Sequence, residues 1–221
     1  MEKIKKFDGV LREFKNDLHE HPEKSFKEFR TTERIRAALG LLGAEFVDLG
    51  MDTGVAAVLR GGLPGKCVML RADIDAVASD MGCRHLCGHD LHTTCLLGAA
   101  MALFENREHV RGTVVFLFQP AEEFTSGAHA CIEHGLFELV HPDALFGLHC
   151  RPELKTGTVC VKEGPLMARK SNFNLSIHGT AGHAGMPHKY ADVIVAGSAV
   201  VGALQTIVSR NTDPLETLVC S

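Results

Sequence analysis

The densest cluster of metal-capable side chains in this sequence lies between residues 85 and 92, in the segment HLCGHDLH. Cys87 and His89 stand two positions apart with a glycine between them, so an extended loop can direct both side chains at one ion. Thiolate and imidazole are the ligands that zinc and its borderline neighbours prefer. Asp90 is placed to accept the second ring N–H of a ligating histidine. The spacing therefore predicts a metal site.

Two other interpretations of this segment stay open. A thiolate beside an imidazole is also an activated nucleophile, so Cys87 with a histidine suits a cysteine hydrolase as well. The segment can also be a loop that is merely polar, although five metal-capable side chains in eight residues argue against that.

Two pairs of carboxylates each follow an apolar segment. Asp73 and Asp75 come after Cys67–Leu70, and in an extended chain they point to the same side. Glu122 and Glu123 follow TVVFLFQPA, and in an extended chain they point in opposite directions, so that one can bind a metal while the other takes a proton from water. The alternatives are a pair of solvated acids and a favourable helix start.

His149 ends the apolar run Ala144–Leu148. A histidine in that position is commonly a satisfied edge residue rather than a ligand. The order of the motifs changes the interpretation, because three of them follow three predicted strand ends. Such ends can share one edge of one sheet, where α/β sheets bind ligands.

The elements that must position these groups alternate along the chain. Two helices occupy the first forty residues, with a break at His21-Pro22, and strands follow at Val55–Leu59 and Cys67–Leu70. A helix is predicted from about His92 to Phe104, a strand at 113–118, a helix after Glu123 and a strand at 144–149. The strand 113–118 is apolar on both faces, which is typical of an interior strand. The pattern predicts an α/β fold with a helix-covered sheet.

The pattern changes after about residue 165. Polar and apolar residues alternate over 172–178, which predicts a strand, and an apolar helix is predicted from about 191 to 209. The last residues, 217–221, have the composition of another strand. We assign residues 1–165 to one domain and residues 166–221 to the start of a smaller one.

Composition narrows the possible partners and location. The net charge of −4 and the scattered lysines and arginines provide no basic surface for nucleic acid. The charged N-terminal segment lacks the apolar stretch of a secretory signal, which predicts a cytoplasmic protein whose eight cysteines are free thiols. The apolar segment 193–209 is expected to be a buried helix rather than a membrane span.

The motifs RADIDA, HLCGHDLHT, GTVVFLFQPAEE, GLH and IHGTAGHAGMPH, in this order, closely resemble one family. It is the aminoacylase and hippurate hydrolase group of metallopeptidase-like amidohydrolases, which includes N-acetyl-diaminopimelate deacetylases and auxin-conjugate hydrolases. The resemblance implies a mixed sheet of the zinc-exopeptidase type with a smaller α+β lid domain that forms a homodimer. It implies hydrolysis of the amide bond of N-acyl-L-amino acids or related small acylated amino acids.

The resemblance also implies a role for each site residue. Cys87, His89, Glu123 and His149 would bind a divalent metal (zinc, manganese, nickel or cobalt), and Glu122 would act as general base toward a metal-bound water. Asp73, Asp75 and Asp90 would support the site. His183, in the lid, would reach the active site of a partner subunit to bind the substrate carboxylate or polarise the scissile carbonyl.

Two departures from the family pattern limit these expectations. Only eleven residues separate Asp75 from Cys87, where relatives carry a longer loop that helps to enclose the substrate. The chain also stops at Ser221, whereas relatives continue and supply one further metal-ligating histidine. We therefore expect at most one tightly held metal in this chain, against two in complete relatives. The alternative is a truncated or impaired relative that binds metal or a partner subunit without turnover.

Overall fold

The helices and strands of the chain follow its hydrophobic periodicity, as a computed structural model that describes residues 5–80, 82–167 and 171–221 shows. The chain divides into an N-terminal unit, Met1–Leu154, and a C-terminal unit, Lys155–Ser221. This division precedes the boundary predicted near residue 165.

The bounds of the elements are as follows. The helices are α1 (Asp8–Glu20), α2 (Phe29–Leu41), α3 (His89–Glu105), α4 (Gly127–Glu133), α5 (Leu136–Val140) and α6 (Val193–Asn211). The strands are β1 (Glu45–Val47), β2 (Val55–Arg60), β3 (Leu63–Asp73), β4 (Val77–Ser79), β5 (Gly82–Arg84), β6 (Arg111–Gln119) and β7 (Ala144–Gly147).

Helices α1 and α2 form where the three- and four-residue spacing of apolar side chains predicts them. Phe14 and Leu18 of α1 are buried, as are Ile35 and Leu39 of α2, and these residues form one core cluster. The Glu23 carboxylate accepts the backbone N–H groups of Arg30 and Thr31, two of the N–H groups that a helix start leaves unpaired. The break between the two helices is confirmed, since α1 ends at Glu20.

A five-stranded mixed sheet with the order β1-β2-β6-β3-β7 forms the centre of the N-terminal unit. Strand β6 lies in its middle, antiparallel to β2 and parallel to β3, as predicted for a strand that is apolar on both faces. Phe116 and Phe118 pack with the core of α1, α2 and α3, whereas Val115 and Leu117 pack on the opposite side with Cys131. The α/β class with a helix-covered mixed sheet is confirmed.

Strands β3, β6 and β7 run in the same direction, since β3 is parallel to both of the others. Their registers place Asp73 beside Gln119 and Arg71 beside Gly147, so the three strands end at one edge of the sheet. The residues that follow these ends are Asp75, Glu122 and His149. The predicted convergence of three motifs on one sheet edge is therefore confirmed.

The C-terminal unit is a helix with little other regular structure. Helix α6 is capped by Asp192, which accepts the N–H groups of Ile194 and Val195. The strands predicted at 172–178 and 217–221 are absent from the described residues of this unit, which contain no neighbouring strand for either segment to pair with. Alternating polar and apolar residues favour an extended backbone, but a strand also needs a neighbouring strand with which it can form hydrogen bonds.

The burial predicted for the apolar helix of this unit is wrong. None of the residues of α6 is buried, because no other helix or strand of the described C-terminal unit covers it. Among the described residues, α6 is the one helix whose length and apolar composition would allow a membrane span, a test that core helices of soluble proteins also pass.

Candidate metal centre

His89 is the buried residue around which the site is arranged. It begins α3 directly after Gly88, whose φ of 83° turns the chain from the loop into the helix. Its Nδ1 lies 2.8 Å from the carbonyl oxygen of Asp75 and 3.1 Å from a carboxylate oxygen of the same residue. Because a carbonyl oxygen only accepts hydrogen bonds, Nδ1 carries the proton and donates it.

The other ring nitrogen of His89 faces three carboxylates. Nε2 lies 3.6 Å from Oδ2 of Asp73, 3.7 Å from Oε2 of Glu122 and 3.8 Å from Oε1 of Glu123. It is buried and has no hydrogen-bond partner among the described residues. Burial opposes a charge on His89, but the bond to Asp75 and the charge of Asp73 outweigh burial and raise its pKa. These acids favour a positive charge at Nε2, which either a proton or a metal ion can supply.

Cys87 and His149 complete a second part of the same cluster. The Sγ of Cys87 lies 3.8 Å from Nε2 of His149, and the ligand atoms of Cys87, His89 and His149 all lie within 4.8 Å of one another. The Nδ1 of His149 donates to the carbonyl oxygen of Cys150 at 2.8 Å, which leaves Nε2 with a free lone pair on the side of Cys87. Gly88 lies between Cys87 and His89, and its left-handed φ of 83° lets the chain turn so that the ligand atoms of both residues come close together.

The protonation of Cys87 bears on the nucleophile hypothesis. Burial, together with the hydrogen bond and negative charge of Glu123, raises the pKa of its thiol to about 12. An activated nucleophilic cysteine has the opposite environment, in which positive groups stabilise the thiolate. A cation placed among these groups would reverse the effect, because metal binding deprotonates a thiol.

Glu122 and Glu123 lie in a turn after β6, not in an extended segment. Ala121 has a φ of +52°, and both carboxylates consequently face His89. The expectation that the two side chains point in opposite directions is wrong for this reason. Glu123 Oε1 is buried without a hydrogen-bond partner among the described residues, whereas the side chain of Glu122 is 41% exposed. Burial raises the pKa of Glu122, and the nearby charge of Asp73 adds to that effect.

Asp73 and Asp75 both support this cluster from the end of β3. Asp73 accepts hydrogen bonds from His92 at 2.6 Å and from Arg71 at 2.9 Å. Burial acts to raise the pKa of Asp73, but the bond from His92 and the charge of Arg71 dominate and lower it to about 2. Asp75 uses one oxygen for His89 and the other for the N–H of Glu123.

His92 is a part of the site that the sequence did not single out. Its Nδ1 donates to Asp73, and its Nε2 accepts the backbone N–H of Cys150 at 2.8 Å, so both ring nitrogens are used within the protein. It thereby joins the loop after β7 to the end of β3. His92 could have been recognised from its position three residues after His89, because that spacing places both imidazole rings on one side of α3.

Asp90 does not support His89, contrary to the sequence prediction. Its carboxylate lies 2.8 Å from Nδ1 of His19 and 3.5 Å from Lys15, both on α1. Adjacent residues of a helix point about 100° apart, so the start of α3 at His89 turns Asp90 away from the cluster. Asp75 is the acceptor for His89 instead.

His183 lies in the C-terminal unit, where its Nδ1 accepts the N–H of Gly185.

The donor set of this cluster fits a divalent metal ion. One thiol, two imidazole nitrogens with free lone pairs and two carboxylates lie at one sheet edge, and two of their ligand atoms are buried without a partner among the described residues. A buried polar atom without a hydrogen bond is costly, so an ion that binds these atoms would remove that cost. Imidazole, thiolate and carboxylate are the ligands of zinc and related metals.

Comparison with known proteins identifies the family. The model of Peptidase family M20/M25/M40 matches residues 69–218. N-acetylcysteine deacetylase of Bacillus subtilis is 43% identical and aligns with 98% of this chain. A putative aminohydrolase from methicillin-resistant Staphylococcus aureus has a similar structure, with a TM-score of 0.79, 34% identity and a match to 98% of this chain.

A second solved structure bears on the metal. The YXEP protein of Bacillus subtilis, described as a dinuclear metal-binding peptidase of the M20 family, matches 73% of this chain at 42% identity with a TM-score of 0.69.

This chain belongs to peptidase family M20. The resemblance found in the sequence motifs is thus confirmed. The match covers 60% of the deacetylase, 60% of the aminohydrolase and 48% of the YXEP protein, so the chain spans about half to three fifths of the length of these relatives.

Proposed function

We propose that this protein is a metal-dependent amidohydrolase that cleaves N-acyl-L-amino acids or related small acylated amino acids. The observation that carries the proposal is the cluster at the sheet edge, where a buried histidine nitrogen faces three carboxylates and has no hydrogen bond from the part of the chain that the structure describes. The similarity to an N-acetylcysteine deacetylase supports the substrate class, an amino acid acylated on nitrogen.

Cys87, His89, Glu123 and His149 would hold the metal. Each offers a ligand atom at the same edge of the sheet, and the other ring nitrogens of both histidines already donate to backbone carbonyl oxygens. Those bonds fix the tautomers that leave Nε2 available. When bound, the metal would supply Lewis-acid chemistry, which acidifies water and polarises the scissile carbonyl. Zinc, manganese, nickel and cobalt all suit this mixed donor set.

Glu122 would act as general base and then as general acid. Its carboxylate reaches the cluster within 3.7 Å of His89, yet the side chain remains partly exposed, so it has access to water and to an entering substrate. It would accept the proton of the water that attacks the amide carbonyl and then deliver that proton to the leaving amine. A pKa raised by burial brings a carboxylate closer to neutral pH, where proton transfer in both directions is efficient.

Asp73 and Asp75 would keep these groups in place. Asp75 accepts from both His89 and Glu123, and therefore joins one proposed ligand from α3 to another from the loop after β6. Asp73 adds negative charge beside His89 Nε2, which favours a cation there.

Several features of the whole protein belong to the same proposal. His183 would assist from a partner subunit by binding the substrate carboxylate or polarising the carbonyl, in a homodimer formed through the lid domain. The four proposed ligands suffice for one tetrahedral ion, so we propose one tightly held metal in this chain. We propose a cytoplasmic location, and no nucleic-acid or membrane partner.

A panel of N-acetyl and N-benzoyl amino acids tests this function, with the bound metal measured in the same samples. We expect hydrolysis that a chelator abolishes and that added Zn²⁺ or Mn²⁺ restores. Thiol alkylation of the metal-loaded protein should leave the activity unchanged, whereas a cysteine hydrolase would be inactivated. A protein that binds metal yet hydrolyses none of the panel would instead be an impaired relative.

A further inference from the structure

The turn that carries Glu122 and Glu123 is supported by a residue far away in the sequence. Glu28, directly before α2, is fully buried, and one of its carboxylate oxygens accepts the backbone N–H of Ala121 at 2.8 Å. Ninety-three positions separate the two residues. The bond joins a buried acid to the residue immediately before the proposed general base.

The backbone of Ala121 has an unfavourable conformation and needs a contact that holds it in place. Its φ of +52° lies in the left-handed region, which costs an L-residue with a side chain about 1 kcal/mol or more. A strained backbone of this kind persists when surrounding contacts hold it in place. This conformation directs the next two side chains, Glu122 and Glu123, toward His89.

The segment of Glu28 also contacts the other loop of the site. Ser25 donates its hydroxyl to Asp75 at 2.7 Å, and the ring of Phe26 meets that of Phe124 edge to face at 6.4 Å. Residues 23–28 therefore touch both the loop after β3 and the turn after β6. Within this segment, Glu28 is the residue that bonds to the backbone of the turn itself.

We infer that Glu28 is a positioning residue, whose buried carboxyl group holds the turn at Ala121 in the conformation that places Glu122 and Glu123 at the metal centre. This inference rests on the proposed function. The feature that matters is a hydrogen-bond acceptor at this buried position, not the negative charge. Gln can replace Glu in that role because its side-chain carbonyl oxygen also accepts an N–H bond.

The variants Glu28→Gln and Glu28→Leu test whether this position needs a hydrogen-bond acceptor or a negative charge. Gln keeps the acceptor and removes the charge, whereas Leu removes both. Asp143, which is exposed, provides the control for the bond itself, because its carboxylate also accepts a backbone N–H, that of Cys67 within β3, at 2.8 Å. Asp143→Leu removes the same kind of bond without touching the turn. Each variant is compared with the unchanged 221-residue protein for kcat and KM on an N-acetyl amino acid, for Co²⁺ affinity by visible absorption, and for thermal unfolding.

We expect Glu28→Leu to lower kcat by about 100-fold, as a displaced catalytic group would, with little change in KM. Its Co²⁺ affinity should fall by about tenfold, which is typical of losing a group that orients metal ligands. Glu28→Gln should stay within about threefold of the unchanged protein in both measurements, and Asp143→Leu should change thermal unfolding alone.

Two results would overturn the inference. One is a Glu28→Leu protein that keeps normal kcat and Co²⁺ affinity, and the other is equal losses in Glu28→Leu and Asp143→Leu, which would show a general loss of stability. If the unchanged protein binds Co²⁺ but hydrolyses nothing, the proposed function fails while the Co²⁺ titration still decides the role of Glu28. If it binds no Co²⁺, both ideas fail.

Discussion

His89 uses its two ring nitrogens for different purposes. Nδ1 is committed to Asp75, while Nε2 is left among three carboxylates with no hydrogen bond from the described residues. A neutral imidazole that donates from one nitrogen keeps a lone pair on the other, which is the form that binds metals. His92, three residues later, has both nitrogens occupied by Asp73 and Cys150. The two histidines of one motif thus have different chemistry because their partners differ.

Metal binding should release a proton from Cys87. Its thiol, with a pKa of about 12, is protonated at neutral pH and must lose that proton to become a ligand. The affinity for Zn²⁺ should therefore rise with pH, by about tenfold per unit for each proton released. Calorimetric titration in two buffers with different ionisation enthalpies measures the proton count. Cys87→Ser should lower the count by one, and equal counts in the two proteins would contradict Cys87 as a ligand.

Asp73 should contribute stability that disappears in acid. The folded structure lowers its pKa from 3.8 to about 2, so its contribution is complete above about pH 4 and is lost as the pH falls toward 2. A shift of that size corresponds to about 2 kcal/mol of unfolding free energy. Asp73→Asn should therefore lose about that much at pH 7 in urea unfolding, and the loss should shrink toward pH 2. The exposed Asp8→Asn is the control, and a loss independent of pH would contradict this account.

At the scale of elements, the junction between the Cys87 loop and α3 sets the geometry of two proposed ligands. Gly88 has a φ of 83°, and a Cβ atom there would meet the Sγ of Cys150 at 3.5 Å. Gly43 has a similar φ of 75° but has no atom within 4 Å of such a Cβ, and it lies after α2, away from the cluster. The two glycines therefore allow backbone strain to be separated from an effect on the site.

Replacing each glycine by alanine should have a shared effect and a separate one. Both Gly88→Ala and Gly43→Ala should lose about 1–2 kcal/mol of unfolding free energy, because both place a side chain in the left-handed region. Only Gly88→Ala should also weaken metal binding, because the strained backbone lies between Cys87 and His89 and relief of the strain there changes the position of both side chains. Chemical unfolding and a Co²⁺ titration measure the two effects. An unchanged Co²⁺ affinity in Gly88→Ala would contradict the importance of this junction.

Helices and strands were predicted correctly where the pattern of apolar residues within the segment was enough to define them. Strand β6 is apolar on both faces and could be recognised from residues 113–118 alone, as could the buried spacing of α1 and α2. The predicted strand at 172–178 failed because pairing depends on a partner that an alternating pattern does not specify. Helix α3 begins at His89 rather than near His92, because the left-handed Gly88 turns the chain earlier than the apolar residues indicated.

The residue types of the candidate site could likewise be predicted from short motifs, whereas the directions of some side chains could not. The motifs around Cys87, His89 and Glu123 showed side chains that are able to bind a metal. The ends of the parallel strands β3, β6 and β7 share one sheet edge, as the order of elements predicted. The turn at Ala121 was not predictable, because it depends on Glu28, which is remote in the sequence. Asp90 was assigned wrongly because its direction depends on where α3 begins.

At the scale of the whole molecule, the N-terminal unit contains all four proposed ligands and the proposed base. It combines a mixed sheet with helices, and the family model covers most of the site region and continues to residue 218. His183 lies in the C-terminal unit, and the role proposed for it belongs to an assembly of two subunits. The central proposal therefore concerns the N-terminal unit: we propose that it binds a metal and that Glu122 transfers the proton.

The most direct test of that claim compares Glu122→Gln with the unchanged protein at equal metal content, on the best substrate of the N-acyl amino acid panel. Glu133→Gln, a change of an exposed acid on α4, is the control. We expect Glu122→Gln to bind the same amount of metal but to lose about 100- to 10,000-fold in kcat, while Glu133→Gln is unchanged. Glu122→Gln with full turnover, or with its metal lost, would contradict the account.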